Sequence, residues 1–495
     1  MEFSIVKLLF PLLWFLSGIF ILDRVNASPI KWQKFAGTDG KNHKLEWFVL
    51  FAAPLYWLRG VVLKLWKGHL SDLLAQTKRR IKYSNISISD AQGNPLYGVD
   101  CDNPAIDELK NILNDAIIQR ASDIFLDPAG NDQYSLRFRV DGQLVVIKKL
   151  DAAFGENVVN AIKVASSMDI TEKRRPQDGS FSISHPAGNA ALRVATVGAF
   201  GGEKIALRVL GTENGPKSLG EIGFDEQQQT LLKNAVSLSS GMILMCGATG
   251  SGKTTTLYAL IDNIDYTLKN VISIEDPIER VIPNVSQMEV NTKADITFAK
   301  ILRNALRQNP DVICLGEIRD EETAEIAIHA AQTGHLIIST VHSNDSVDTL
   351  DRLSSLGVPL PSLAATIKVI VNQRLTRRLC DKCKQPMTQM PKRWYSYFQQ
   401  KGLDPSGLFV PKGCPVCNGT GYRGRVACFD ILVIDQVLRE ELEKEHASLS
   451  QIKKIAEERS GSNTLIAHGA RIAAEGITSL EEIDRITLEI DGAFK

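Results

Sequence analysis

Gly247 to Thr254 reads GATGSGKT, and this octet constrains the fold of the chain more than any other segment. It fits G-x-x-x-x-G-K-[ST] and stands between an apolar run, Met242 to Cys246, and a helical segment that opens at Lys253, the context such a motif requires. The glycines let successive backbone N–H groups point inward, and the helix N-terminus adds a favourable partial positive charge. Lys253 can neutralise outer phosphates, and Thr254 can ligate Mg²⁺. Gly247, Thr249, Gly250, Ser251, Gly252, Lys253, Thr254 and Thr255 are therefore the candidate contacts of a nucleotide, with ATP and Mg²⁺ as the expected ligands.

Around the octet, apolar strands alternate with helices. Met242 to Cys246, Val271 to Ile274, Val312 to Leu315 and Leu336 to Thr340 read as buried strands, separated by helices from Lys253, from about Phe298 to Arg307, and from Glu321. That alternation specifies an α/β fold with a doubly wound, mainly parallel sheet covered on both faces. Such a sheet presents its ligands at the carboxyl ends of the strands. Glu317 closes the run DVICLGE there and can polarise an attacking water directly or through a Mg²⁺-bound water. The bland reading of Glu317 is an ion pair with Arg319 or a helix cap. The cluster Glu275, Asp276 and Glu279 follows a neighbouring strand, where a metal-water role competes with a surface turn set by Pro277. His335 and His342 bracket LIIST seven residues apart, so opposite faces are open to them. Each is either a sensor of the phosphate edge or a structural histidine.

Upstream, from about Cys101 to Leu210, amphipathic helices mix with alternating strands as in a small α+β unit. Ile106, Leu109, Ile112, Leu113 and Ile117 share one helical face. Tyr134 to Val140 alternates, and Asp141-Gly142 marks a hairpin turn. Arg137 and Arg139 are two apart and so project to one strand face. The polar stretch GTENG with Pro216 reads as a joint, and a new domain is expected near Leu219. At 495 residues the chain exceeds one ordinary core. We divide it into 1–95, an α+β domain at 96–215 and the nucleotide domain at 216–495. Lys plus Arg equals Asp plus Glu at 57 each, a balance that argues against direct nucleic-acid contact.

The first segment points to a membrane. Phe3 to Leu22 carries a single charge, Lys7, and is long enough to cross a hydrocarbon layer of about 30 Å. A cleaved signal peptide competes, with Val25, Asn26 and Ala27 as a small-residue site. The second apolar stretch, Trp47 to Leu58 within 47–66, is short and broken by Pro54, which suits an interfacial segment or a second span. Lysines and arginines on both sides of it favour one span followed by a membrane-lying piece, with a two-span hairpin as the alternative. Either topology leaves the bulk of the chain on the cytoplasmic face.

Four of the eight cysteines form two C-x-x-C pairs, Cys380 with Cys383 and Cys414 with Cys417, within an element at about 378–425. Four thiolates suit a tetrahedral structural Zn²⁺ and leave no open catalytic position, and the glycines around the second pair permit the tight turns of a zinc knuckle. Cys101, Cys246, Cys314 and Cys428 lie in mostly apolar contexts and read as small core residues.

GATGSGKTTTLYAL, ISIEDPIE, LRQNPDVICLGEIRDEETAEIAIHAAQTGHLIISTVHSND and NQRLTRRLC together resemble the secretion ATPases of type II secretion and type IV pilus assembly, over about residues 100 to 495. The resemblance implies a RecA-like ATPase domain. It also implies a homo-hexameric ring at the inner membrane that turns a polytopic platform protein and adds pilin or pseudopilin subunits to a fibre. Its Walker A, Asp box, Walker B and His box correspond to Gly247 to Thr254, Glu275 to Glu279, Asp311 to Arg319 and Gly334 to His342. Glu317 would then be the catalytic glutamate, supported by Glu279 and His342. SDIFLDP, LRFRVDGQL, RRPQDGSF and GGEKIALRVL look like the family's second N-terminal domain, which makes Arg137, Arg139, Arg193 and Arg208 candidate arginine fingers. Assembly-type members carry a tetracysteine element and retraction ATPases lack it, so the resemblance leans toward assembly. Phe125 stands where the family usually has His. The membrane-directed segment replaces the soluble first domain of long members, which implies self-anchoring. A nucleotide-regulated scaffold with little turnover and a motor serving DNA transfer are the competing functions.

Overall fold

Strict alternation builds the first sheet. The computed structural model describes residues 86–491 apart from 91–92, 98–102, 131, 187, 212–217, 445–446 and 461–463. Strands β1 (Ser87–Asp90), β2 (Pro95–Tyr97), β3 (Ala121–Pro128), β4 (Gln133–Val140), β5 (Gln143–Asp151), β6 (Gln177–Ser184), β7 (Ala190–Ala199) and β8 (Gly202–Leu210) form an antiparallel sheet in the order β2-β1-β6-β7-β8-β3-β4-β5. Tyr134, Leu136 and Phe138 of β4 point inward with Leu192, Val194, Ile205 and Leu207, against the helices Pro104–Ile118 and Ala152–Ala165. The first helix starts where Asn103 accepts the Ala105 N–H, with Pro104 at a position that needs no donor. It stops short of Arg120, whose φ of 56° turns the chain out of the helix. Asp141 and Gly142 both have positive φ, 49° and 87°, as a two-residue hairpin requires.

The second sheet contains β9 (Gly241–Cys246), β10 (Val271–Glu275), β11 (Ser286–Glu289), β12 (Val312–Leu315), β13 (Leu336–Val341) and β14 (Ile367–Leu379). After a short ribbon of β15 (Gln385–Pro386) and β16 (Phe409–Val410), β17 (Tyr422–Val433) completes it. The order is β11-β10-β12-β13-β9-β14-β17, parallel throughout except for β17. Every residue of β9, β12 and β13 is buried, which explains why these runs do not alternate. Leu244, Ile274, Leu315 and Ile337 face the helices Phe298–Ala305, Glu321–Gln332 and Ser346–Ser355. Ile243, Met245, Val312 and Ile338 face Glu226–Ser237 and Lys253–Ile261. Both faces are thus covered, as a doubly wound sheet demands. The helix from Phe298 ends at Ala305 and tightens into a 3₁₀ turn, Leu306–Gln308.

Cys246, Cys314 and Cys428 are buried core residues, and burial pushes the Cys246 thiol up to about 12. Cys101, most of the joint before Leu219 and the apolar stretches at 3–22 and 47–66 lie outside the described residues. Among the described residues, no helix is long and apolar enough to cross a membrane.

His468 gives the fold a pH dependence. It is 2% exposed, packs edge-on against Phe429 at 5.4 Å, and its Nε2 lies 3.1 Å from the Gly223 carbonyl. Burial, with Arg471 nearby, pushes its pKa down to about 4, against about 6.5 for an unfolded histidine. The unfolded chain therefore binds more protons between these values, so stability is lost as pH falls through that window, by about 3 kcal/mol in all. Urea midpoints followed from pH 7 to pH 4 should fall, and a folded His468→Asn variant should lose less over the same range.

Candidate active site

Because β9, β13, β12 and β10 are parallel neighbours, their carboxyl ends meet at one edge. The GATGSGKT loop follows β9, His342 follows β13, Glu317 follows β12, and Glu279 lies in the loop after β10. Gly247 and Gly252 have φ of 140° and 91°, and an added Cβ would come within 2.4 Å and 2.7 Å of the Gln373 carbonyl oxygen and Nε2. Gln373, on β14, is fixed in turn by the Thr256 hydroxyl, which donates to its Oε1 at 2.7 Å. The loop is thus pressed against the backbone and side chain of Gln373, an approach that only glycine allows. Ser251 Oγ is buried without a protein partner. Lys253 Nζ donates to the carbonyls of Gly247 at 2.8 Å and Ala248 at 3.0 Å, while burial lowers its pKa. Thr254 and Thr255 are half-buried at the start of the helix. A glycine cradle, a curled lysine and a spare hydroxyl fit a polyphosphate.

Glu317 is held from two directions. Arg319 donates to its Oε1, and His342 Nε2 lies 3.3 Å from Oε2, an oxygen that accepts no aligned hydrogen bond. Arg319 also stands 4.0 Å from Asp276, so it spans the acidic groups of two strands. Burial and the Lys253 charge depress the His342 pKa, which keeps the imidazole neutral at pH 7. Burial and Glu275 raise the Glu279 pKa, and Arg193 and Arg208 of the first sheet oppose that rise. His335 stands at the amino end of β13, its Nδ1 3.0 Å from the Ala330 carbonyl, away from this edge.

Asp123 and Asp127 hold three of the four arginines. Register places Asp123 opposite both Arg139 and Arg208, and Arg208 opposite Arg193. Asp123 pairs with Arg139 at 3.4 Å and Arg208 at 3.1 Å, while Arg137 binds Asp127 at 2.7 Å. Arg137, Arg139 and Arg208 are thus all tied to carboxylates of β3, and the charges of Arg193 and Arg208 also act on Glu279. Phe125 lies beneath Arg139, with the guanidinium 5.7 Å from its ring centre.

Sequence reasoning passed over Gln373 and the depth of Glu275. Glu275 is 3% exposed and accepts from Tyr258 at 2.5 Å, from Gln287 at 2.9 Å and from Ser273. A carboxylate closing an apolar strand was its only signal; Gln373 has none, since it lies far along the chain from the loop it touches.

The sulphurs of Cys380, Cys383, Cys414 and Cys417 lie within 4.8 Å of one another, with pairs at 3.9, 3.8 and 3.7 Å. Four Zn–S bonds of about 2.3 Å at tetrahedral angles space sulphurs about 3.8 Å apart, so the set fits zinc. Cys417 also receives backbone N–H bonds from Cys414 at 3.1 Å and Gly421 at 3.2 Å. The element touches the first sheet and its helix. Asn418 Nδ2 donates to Gln119 Oε1 at 3.1 Å, and the Gly424 N–H donates to Asp141 Oδ2 at 2.7 Å.

The profile of the family described as Type II/IV secretion system protein matches residues 99–485. The chain belongs to this family. It is a P-loop ATPase. It is 38% identical over 397 residues to the type II secretion system protein E of Pectobacterium carotovorum, covering 80% of this chain and 78% of that one. The type IV pilus assembly ATPase PilB of Acinetobacter baylyi is 38% identical over 394 residues, covering 78% and 67%. The crystal structure of the pilus retraction motor PilT with bound ADP superposes with a TM-score of 0.53 at 25% identity, over 76% of this chain and 96% of that one. The Legionella pneumophila ATPase DotB gives 0.57 at 20% identity over 79% and 98%, which supports the RecA-like fold.

Two outcomes follow for this secretion ATPase. A Gly247→Ala protein should bind an ATP analogue at least about tenfold more weakly, since the methyl group meets Gln373 at a φ that side chains avoid. Atomic absorption should find about one zinc per chain, and Cys417→Ser should lose most of it and melt earlier.

Proposed function

We propose that this secretion ATPase is a homo-hexameric motor that drives assembly of a type IV pilus or a type II pseudopilus at the cytoplasmic face of the inner membrane. The observation that carries this reading is the meeting of the GATGSGKT loop, Glu317, His342 and the Glu279 loop at one sheet edge. The backbone N–H groups of residues 247–254 and the Lys253 ammonium hold the triphosphate, and Thr254 is the protein ligand for Mg²⁺. When bound, the ion supplies charge neutralisation at the phosphates.

Glu317 acts as the base. Its Oε2 takes a proton from water as the water oxygen bonds to the γ-phosphorus and the bond to the ADP oxygen breaks. Neutral His342 keeps the carboxylate oriented without neutralising it, and Glu279 orders the water from the adjoining loop. Arg193 and Arg208, and on closure Arg137 and Arg139, bring positive charge to the phosphates from the first domain of this or a neighbouring subunit. A site completed across domains converts hydrolysis into rigid-body movement, which a polytopic platform protein passes to pilin or pseudopilin subunits. The tetracysteine zinc element, and the relatives named for assembly, support assembly over retraction. The segment before residue 96 anchors the motor to the membrane.

The test is phosphate release by the full chain in membranes or detergent. Glu317→Gln should lower kcat by at least about a hundredfold while retaining binding of an ATP analogue. Lys253→Ala should lose both. Parent-rate hydrolysis by either variant contradicts the assignment.

A further inference from the structure

We infer that Tyr258 is a positioning residue for hydrolysis, its hydroxyl tying the P-loop helix to the loop that carries Glu279. The inference rests on the hydrolytic reading of this edge and adds a residue to it. Tyr258 lies four residues after Thr254 on the helix Lys253–Ile261, so both share one stripe of its surface. Its ring is 7% exposed, and the hydroxyl uses every hydrogen-bonding valence it has. It donates to Glu275 at 2.5 Å and accepts the backbone N–H groups of Glu279 at 3.1 Å and Arg280 at 3.2 Å. Burial and Glu275 raise its pKa, so the phenol remains a donor at physiological pH.

The surrounding contacts lock the same loop to the same helix. The Arg280 guanidinium covers the Tyr258 ring at 4.9 Å and binds Asp262, the C-cap of that helix, through two contacts of 2.8 Å. Gln287 reaches Glu275 and the Arg280 carbonyl at 2.9 Å each, and it accepts the Ile282 N–H at 2.7 Å. Buried Glu275 is thus the fixed post, and the Tyr258 hydroxyl is the link through which the backbone of Glu279 is set relative to the phosphate end of the helix. The charges of Arg193 and Arg208 act on Glu279, so its placement also sets how strongly they do so. A displacement of the helix start by nucleotide is carried to the loop through this hydroxyl, with the Arg280–Asp262 pair beside it.

Tyr258→Phe in the full-length chain tests this. The expected result is a fall in kcat of about tenfold with affinity for a fluorescent ATP analogue unchanged within about twofold, which separates positioning from binding. In a Glu279→Gln background the same substitution should cost nothing more, because the hydroxyl acts through Glu279. An equal loss in both backgrounds, or parent kcat in Tyr258→Phe alone, overturns the inference. Should Tyr258→Phe fail to fold, hydrogen exchange of the parent decides. Protected amides in the peptide covering 276–281 support the link, and exchange at the rate of free loop amides overturns it. Hydrolysis by Lys253→Ala would instead fault the site reading on which the inference stands.

Discussion

Parallel pairing of β10, β12, β13 and β9 is the constraint on which the site depends. These strands are short and mostly apolar, so the ionisable groups gather at and just beyond their carboxyl ends. Parallel register then puts those ends side by side. β13 separates the strand before the phosphate loop from the strand before Glu317, which leaves His342 between them, within 3.3 Å of the carboxylate. Reversing any one of these strands would send its loop to the opposite edge and empty the site.

A second constraint comes from β14. Its residues beyond Asn372 run past the partner strand β9, so Gln373 reaches the loop and the tetracysteine element stands at the far end of the same strand. That element meets the α+β domain through Asn418 with Gln119 and through Gly424 with Asp141. One continuous strand therefore joins the phosphate loop to the first domain. A structural zinc would suit that place, since it would fix the turns that carry the four cysteines beside the apolar cluster of Trp394, Phe398 and Leu408.

Much of this was legible in the chain. GATGSGKT carries its own context, and the buried strands were plain because full burial on two faces makes continuous apolar runs. The C-x-x-C pairs announced a tetrahedral set through spacing alone. Tertiary contacts were not legible. Arg137 and Arg139 shared a strand face as predicted, yet Asp127 and Asp123 on β3 tie them down, and only strand register shows that. Nothing in the pattern singled out Tyr258, because a phenol contributes to helical periodicity only through its ring. Gln373 was silent because a glutamine on a buried strand shows its purpose only when its partner, far off in sequence, folds against it.

The most direct measurement is a structure of the full chain with Mg²⁺ and a non-hydrolysable ATP analogue. The account predicts the triphosphate along the N–H groups of 247–254, Thr254 on the metal, and Glu317 and Glu279 each within one water of the γ-phosphate. A nucleotide bound elsewhere, or phosphates in the loop with Glu317 still turned away onto Arg319, would contradict it.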